Sequence, residues 1–156
     1  MKRLVTYFSC SGITKRAGEK LANILNCDVF EIKPLKEYTE KDLDWMDKES
    51  RTTLEMQDEM NRPEILNNLS NFDSYDIIYI GFPIWWYEAP RIINTFLESY
   101  DFSGKTIVLY CTSGGSTIEK AYNKLKSKYD YNFKSLGNIN SLDEDTLNKK
   151  LKQLEL

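Results

Sequence analysis

Short apolar runs alternate along the chain with longer stretches whose apolar positions recur every three or four residues. Leu4-Val5-Thr6-Tyr7-Phe8 reads as a first strand over about 3–8, and Ile77-Ile78-Tyr79-Ile80-Gly81-Phe82 as a buried strand over 76–82. Thr106-Ile107-Val108-Leu109-Tyr110-Cys111 is a third run of this kind. Val29-Phe30-Glu31-Ile32 is short and strand-like, and Pro34 stops it. Tyr131 to Leu136 alternates weakly and suits an edge strand. Helical spacing fills the gaps. Ala17, Leu21, Ala22, Ile24 and Leu25 line one face of a helix from Ile13 to Leu25. Ile92, Ile93, Phe96 and Leu97 do the same after Pro90, which suits a first helical position. Further helices are predicted over 118–128 and over 142–154, the last capped by Ser141 or Asp143.

Residues 35–71 break this rhythm. They are polar and charged, with apolar residues scattered through them, and predict a helix near 48–60 ended by Pro63, with an irregular turn before it. The rest alternates strand and helix with near-continuous apolar strands. That pattern gives an open parallel sheet covered on both faces. The expectation is one domain over 1–156, with the polar insert or lid at about 35–71. Three loops with unusual residues leave strand ends, at 9–14, 83–88 and 112–116. In this architecture such ends gather at one crevice, where ligands bind.

The composition narrows the choice. The chain has 156 residues, 41% of them hydrophobic, enough for one ordinary core. Its net charge is -3, with acidic and basic residues mixed and no basic block, so neither nucleic acid nor a membrane surface is the expected partner. The apolar stretch after Met1-Lys2-Arg3 is too short for a leader and breaks at Ser9. Cys10, Cys27 and Cys111 have no paired spacing, which fits a reducing cytoplasm. There is no histidine, hence no usual general base and none of the commonest metal ligand. Chemistry would have to come from a cofactor.

The loops carry candidate chemistry. In Ser9-Cys10-Ser11-Gly12-Ile13-Thr14, Gly12 permits a tight turn whose amides point inward, and the following helix adds its unpaired N–H groups and dipole. The hydroxyls of Ser9, Ser11 and Thr14 can donate to phosphate oxygens. The plainer reading is a helix cap at Ser11 or Thr14. Pro83-Ile84-Trp85-Trp86-Tyr87 follows the second buried strand. Neighbouring indoles point in different directions, so at least one is expected to be partly exposed and able to cover a flat aromatic ligand. Pro83 shapes the strand exit, and Ile84 offers a backbone amide or carbonyl. In Thr112-Ser113-Gly114-Gly115-Ser116, the glycines allow close backbone approach and the hydroxyls can add bonds; the plainer reading is a Ser116 helix cap. Tyr38, Trp45, Arg51 and Arg62 could cover the site, though each taken singly reads as part of a solvated excursion.

These three motifs, in order and each after its own strand, resemble the loops of the flavodoxin family, in particular the short bacterial flavodoxin-like proteins. The likeness covers most of the chain. It implies an α/β three-layer sandwich with a five-stranded parallel sheet of order 2-1-3-4-5, a non-covalent FMN, and electron transfer between redox proteins. By that resemblance Ser9, Cys10, Ser11, Gly12, Ile13 and Thr14 seat the phosphate. Pro83, Ile84, Trp85, Trp86 and Tyr87 wall the ring, and Thr112, Ser113, Gly114, Gly115 and Ser116 lie beside it. The modest charge and the polar insert keep open an NAD(P)H-dependent quinone or flavin reductase. A monomer or weak homodimer is expected. Cys10 with Arg16 also resembles the Cys-x5-Arg of low-molecular-weight tyrosine phosphatases and arsenate reductases, where a thiolate attacks phosphorus. The single glycine of the loop and the absence of an Asp-Pro pair argue against that chemistry, though the placement suggests a depressed Cys10 pKa.

Overall fold

The computed structural model describes residues 1–156. Strand β1 (Arg3–Tyr7) leads through α1 (Ile13–Leu25) to β2 (Asp28–Glu31). The insert contains a short helix, α2 (Arg51–Gln57). Then follow β3 (Ile77–Pro83), α3 (Arg91–Ser99), β4 (Thr106–Thr112), α4 (Glu119–Lys128), β5 (Asn132–Asn138) and α5 (Glu144–Gln153). The five strands form one sheet in the order β2-β1-β3-β4-β5, all neighbours parallel, as expected. No helix is long and apolar enough to cross a membrane.

Alternation along the strands divides the core between the two faces of the sheet. Ile78, Ile80 and Phe82 of β3 pack with Ile92, Ile93, Phe96 and Leu97 of α3 and with Ala121 and Leu125 of α4. Ile77 and Tyr79 point the other way, where they meet Leu21 of α1 and Leu147 of α5. Gly81 also lies on this second face, and a Cβ there would fall 2.1 Å from the buried Tyr110 ring. Removing its side chain is what lets the large ring enter the layer.

The insert is built rather than loose. Its ends meet at a neck where Pro34 bridges Ile65 and the Leu66 amide donates to the Lys33 carbonyl at 2.7 Å. Asn67 then covers the exposed edge of β2, donating from Nδ2 to the Glu31 carbonyl at 2.8 Å. Helix α2 starts at Ser50, whose hydroxyl accepts from the Thr53 amide. It stops at Gln57, well before Pro63. Two interactions compete with its continuation: the Asp58 side chain accepts from the Met60 amide, and the Arg91 guanidinium takes the carbonyls of Glu55, Met56 and Asp58. A cation at a helix C-terminus is also favoured by the dipole. Arg91 itself opens α3, with Pro90 one position outside the helix. Of the two caps predicted for α5, Asp143 is the one used, accepting from the Thr146 amide at 2.7 Å.

Candidate functional site

The loop after β1 carries the expected turn. Gly12 has φ 90°, a left-handed conformation that L side chains rarely adopt, and its amide donates to Ser9 Oγ at 3.2 Å. No side chain caps α1, so neither Ser11 nor Thr14 plays that part. The first amides of the helix, on Ile13 and Thr14, find no acceptor within the protein. Unpaired amides and a helix dipole together form a seat for an anion. The Thr14 hydroxyl is buried and shares a 2.7 Å hydrogen bond with that of Thr112, which ties this loop to the end of β4.

Cys10 is an exposed residue at the mouth of the cleft. Desolvation of its thiol pushes the pKa up to about 12, against the lowering effect of Arg51, so the depressed value suggested by its position is not found. A thiol held protonated near neutral pH is a poor nucleophile, which argues with the single-glycine loop against phosphatase-like chemistry.

Beyond β3, the Ile84 amide donates to the Thr112 carbonyl at 3.4 Å, which leaves its own carbonyl as the group available to a ligand. Trp85 and Glu88 then exchange two backbone hydrogen bonds of 2.9 Å each, closing a two-residue turn. The turn residues are Trp86, with φ 49°, and Tyr87, with φ 67°. Turns with positive φ at both central positions favour Asn-Gly. Bulky aromatics there cost about 1–2 kcal/mol each. Such strain persists where the surroundings over-determine it, commonly at ligand sites. The turn holds Trp86 and Tyr87 outward, 39% and 65% exposed. Trp85 turns inward. The two indoles therefore diverge as expected.

Trp85 packs edge-on against Phe8 and against Tyr38 of the insert, with ring centroids 5.7 and 5.5 Å apart. Tyr38 is therefore no solvated excursion. Its hydroxyl donates to Glu55 Oε1 at 2.7 Å, and desolvation followed by this hydrogen bond raises its pKa. Arg51 lies over the Tyr38 ring at 3.7 Å and pairs with Glu55 Oε2 at 2.9 Å. Trp45 stands at the mouth, 70% exposed. Arg62 pairs with Glu98 and does not line the cleft.

The result is a cleft of about 520 Å³ lined by Cys10, Ser11, Leu43, Trp45, Thr52 and residues 83–87. Two of the three sequence motifs thus meet on one cavity, with the insert as a further wall. Loop 112–116 does not line that cleft. It is pinned from below instead: Ser113 Oγ accepts from the Ser116 amide at 3.0 Å, and Asn138 Nδ2 donates to the carbonyls of Ser113 and Ser116 at 2.9 and 3.0 Å. Asn140 Nδ2 adds a bond to the Ser113 carbonyl at 3.2 Å. Ser116 caps no helix, since α4 begins after Ile118 without a side-chain cap. Neither Gly114 nor Gly115 has a positive φ, and a Cβ built on either meets no atom within 4 Å. The fold itself therefore does not demand glycine there; open space above a bare backbone is what a closely approaching ligand needs.

Leu43, Thr52, Glu55, Asn138 and Asn140 escaped the sequence reading. They are distant in sequence from the three loops and carry no local motif. No group of three or more His, Cys, Asp or Glu side chains is arranged to hold a metal ion. The site offers uncapped amides for an anion and apolar rings for a flat surface.

Comparison with known proteins fits this geometry. A family model described as flavodoxin matches residues 2–154. The chain belongs to the flavodoxin family. Among solved structures, a proposed flavoprotein from Bacteroides eggerthii is 44% identical, with TM-score 0.97, over 99% of this chain and 98% of that one. A second, from Bacteroides uniformis, is 45% identical, with TM-score 0.92, over 97% of each. A flavoprotein from Lactobacillus acidophilus, solved in complex with FMN, is 27% identical over 86% of this flavodoxin-family chain and 90% of its own, with TM-score 0.68. No protein of curated function matches the sequence.

Proposed function

We propose that this protein binds FMN and carries electrons between redox proteins. The observation that supports it best is the uncapped, Gly12-bearing start of α1 beside a cleft walled by outward-held aromatics. In this reading the amides of Ile13 and Thr14 and the hydroxyls of Ser9 and Ser11 take the phosphate. Trp86 covers a face of the ring, and the bare backbone of Gly114 and Gly115 approaches its polar edge. The flavin supplies the electron chemistry. The chain's residues bind it, orient it and keep water from one face.

Family membership favours a carrier, and a relative known in complex with FMN favours that cofactor.

An NAD(P)H-dependent quinone or flavin reductase is the second reading. It is favoured by the breadth of the apolar cleft, which runs on from the aromatic turn to Leu43 and Trp45 of the insert. The FMN-loaded protein is to be titrated anaerobically with NADH and NADPH, with no partner reductase present. A carrier stays oxidised or reduces slowly, and passes electrons to a protein acceptor once reduced chemically. Turnover with NAD(P)H and a quinone at roughly 1–1000 per second would establish the reductase instead.

A further inference from the structure

Trp85 belongs to a closed circuit of contacts that passes through the insert. On one side its indole meets the Tyr38 ring at 5.5 Å, and the Tyr38 hydroxyl bonds Glu55 Oε1. On the other, its backbone is paired with Glu88, whose carboxylate accepts from Arg91 at 3.1 Å. Arg91 returns to the carbonyls of Glu55 and Met56. Helix α2 thus grips the Trp85 turn from both sides. Glu55 is 5% exposed and each of its carboxylate oxygens has a partner, Tyr38 for one and Arg51 for the other. Arg51 is itself fixed, donating to the carbonyls of Lys36 and Glu37 at 2.9 and 3.2 Å.

We infer that Tyr38, clamped between Glu55 and Arg51, is a positioning residue that fixes the Trp85 indole as part of the ligand cleft. The inference rests on the proposed FMN site for its consequence but not for its geometry. A ring with one hydrogen-bonded end and a guanidinium on its face has little freedom to tilt. Its edge contact with Trp85 transmits that rigidity to the turn bearing Trp86. The insert therefore acts as a fixed wall of the site, and the energy of a buried, fully paired carboxylate goes into holding an aromatic side chain at one angle.

The test compares Tyr38→Leu and Tyr38→Phe with the wild-type chain, using Arg62→Met as a control that breaks an ion pair away from the cleft. Two quantities are read: the near-ultraviolet circular dichroism of the tryptophans in ligand-free protein, and the dissociation constant for FMN. Tyr38→Leu should weaken the tryptophan signal and raise the dissociation constant, by up to about tenfold, the ceiling set by the energy of one aromatic pair. Tyr38→Phe keeps the ring and the guanidinium over its face but loses the bond to Glu55, so it should fall between the two in both readouts. If Tyr38→Leu does not fold, Tyr38→Phe carries the comparison. Arg62→Met should lower the melting temperature alone. The inference is overturned if the Tyr38 variants also lose melting temperature alone, with tryptophan signal and FMN affinity unchanged. A wild-type chain that binds no FMN would refute the proposed function, while the ligand-free spectra would still decide whether the clamp exists.

Discussion

The hydroxyls of Thr14 and Thr112 meet at 2.7 Å in a buried hydrogen bond that joins the first turn of α1 to the last residue of β4. It couples the Gly12 turn at the start of α1 to the loop of bare glycines. Valine at either position keeps the shape and removes one partner, leaving a buried hydroxyl unpaired at a cost of about 1–3 kcal/mol. Each single variant, Thr14→Val or Thr112→Val, should lose that much in urea unfolding. The double variant removes both polar groups and should recover most of the stability. Additive losses in the double variant would show that the pair is not coupled.

Tyr87 holds φ 67° at a position where glycine is at ease. Tyr87→Gly relieves the strain but gains chain entropy in the unfolded state. The net gain should be about 0.5–1 kcal/mol, measured as a higher urea midpoint at unchanged slope. A loss of stability would mean that the Tyr87 ring contributes packing that outweighs its strain.

Trp86 and Trp85 should separate in function. Trp86→Ala removes an exposed indole, so the fold should keep its melting temperature while FMN binding weakens by about 1–3 kcal/mol and flavin fluorescence returns. The reduced, anionic flavin should become easier to form as water reaches the ring, raising the midpoint potential. Trp85→Ala should act first on stability, by about 3 kcal/mol, the low end for a half-buried aromatic, because that ring packs against the fully buried Phe8. Spectroelectrochemistry and thermal melts of both variants check this, and the opposite assignment would exchange their phenotypes.

Glu88 bridges Arg91 at 3.1 Å and Lys124 at 2.8 Å. Desolvation raises its pKa, but the hydrogen bonds from Lys124 and Arg91 outweigh it and hold the carboxyl below its ordinary 4.5. A depressed folded-state pKa gives stability that is present above 4.5 and lost as the pH falls through the folded value. Lys124 is shifted upward: desolvation lowers its pKa, and bonds to Glu59 and Glu88 more than offset that. Its contribution is present below 10.5 and lost as the pH rises through the raised value. Wild type should therefore lose stability below about pH 4.5 more steeply than Glu88→Gln, which should be less stable at neutral pH. Parallel acid limbs in the two proteins would remove Glu88 from the account.

The sheet was legible in the chain because its central strands are buried on both faces. Ile77 to Phe82 has no polar interruption, and only a central strand of a covered sheet tolerates that. The tight turn at Gly12 was legible too, because Gly12 and the start of α1 are adjacent in sequence. What escaped depends on distance. The end of α2 is set by Arg91, more than thirty residues on, and not by Pro63. Tyr38 looked solvated because Trp85 and Glu55 become its neighbours only when the insert folds back over the strand ends, and the local Arg51–Glu55 pair of α2 gave no sign that both would close on its ring. Cys10 was misjudged in the same way. Local sequence offered a helix N-terminus that would lower a thiol pKa, while the desolvation that dominates arises from tertiary packing.

The proposed function depends first on a phosphate held at the start of α1. The direct measurement is the affinity of the purified wild-type protein and of Gly12→Val for FMN and for riboflavin, which lacks the phosphate. Wild type should prefer FMN by well over about tenfold, as expected when several amide contacts to a charged group are lost. Gly12→Val, strained at φ 90°, should keep its circular dichroism and lose that preference. Equal affinity of the wild-type protein for FMN and riboflavin would show that no phosphate is held there.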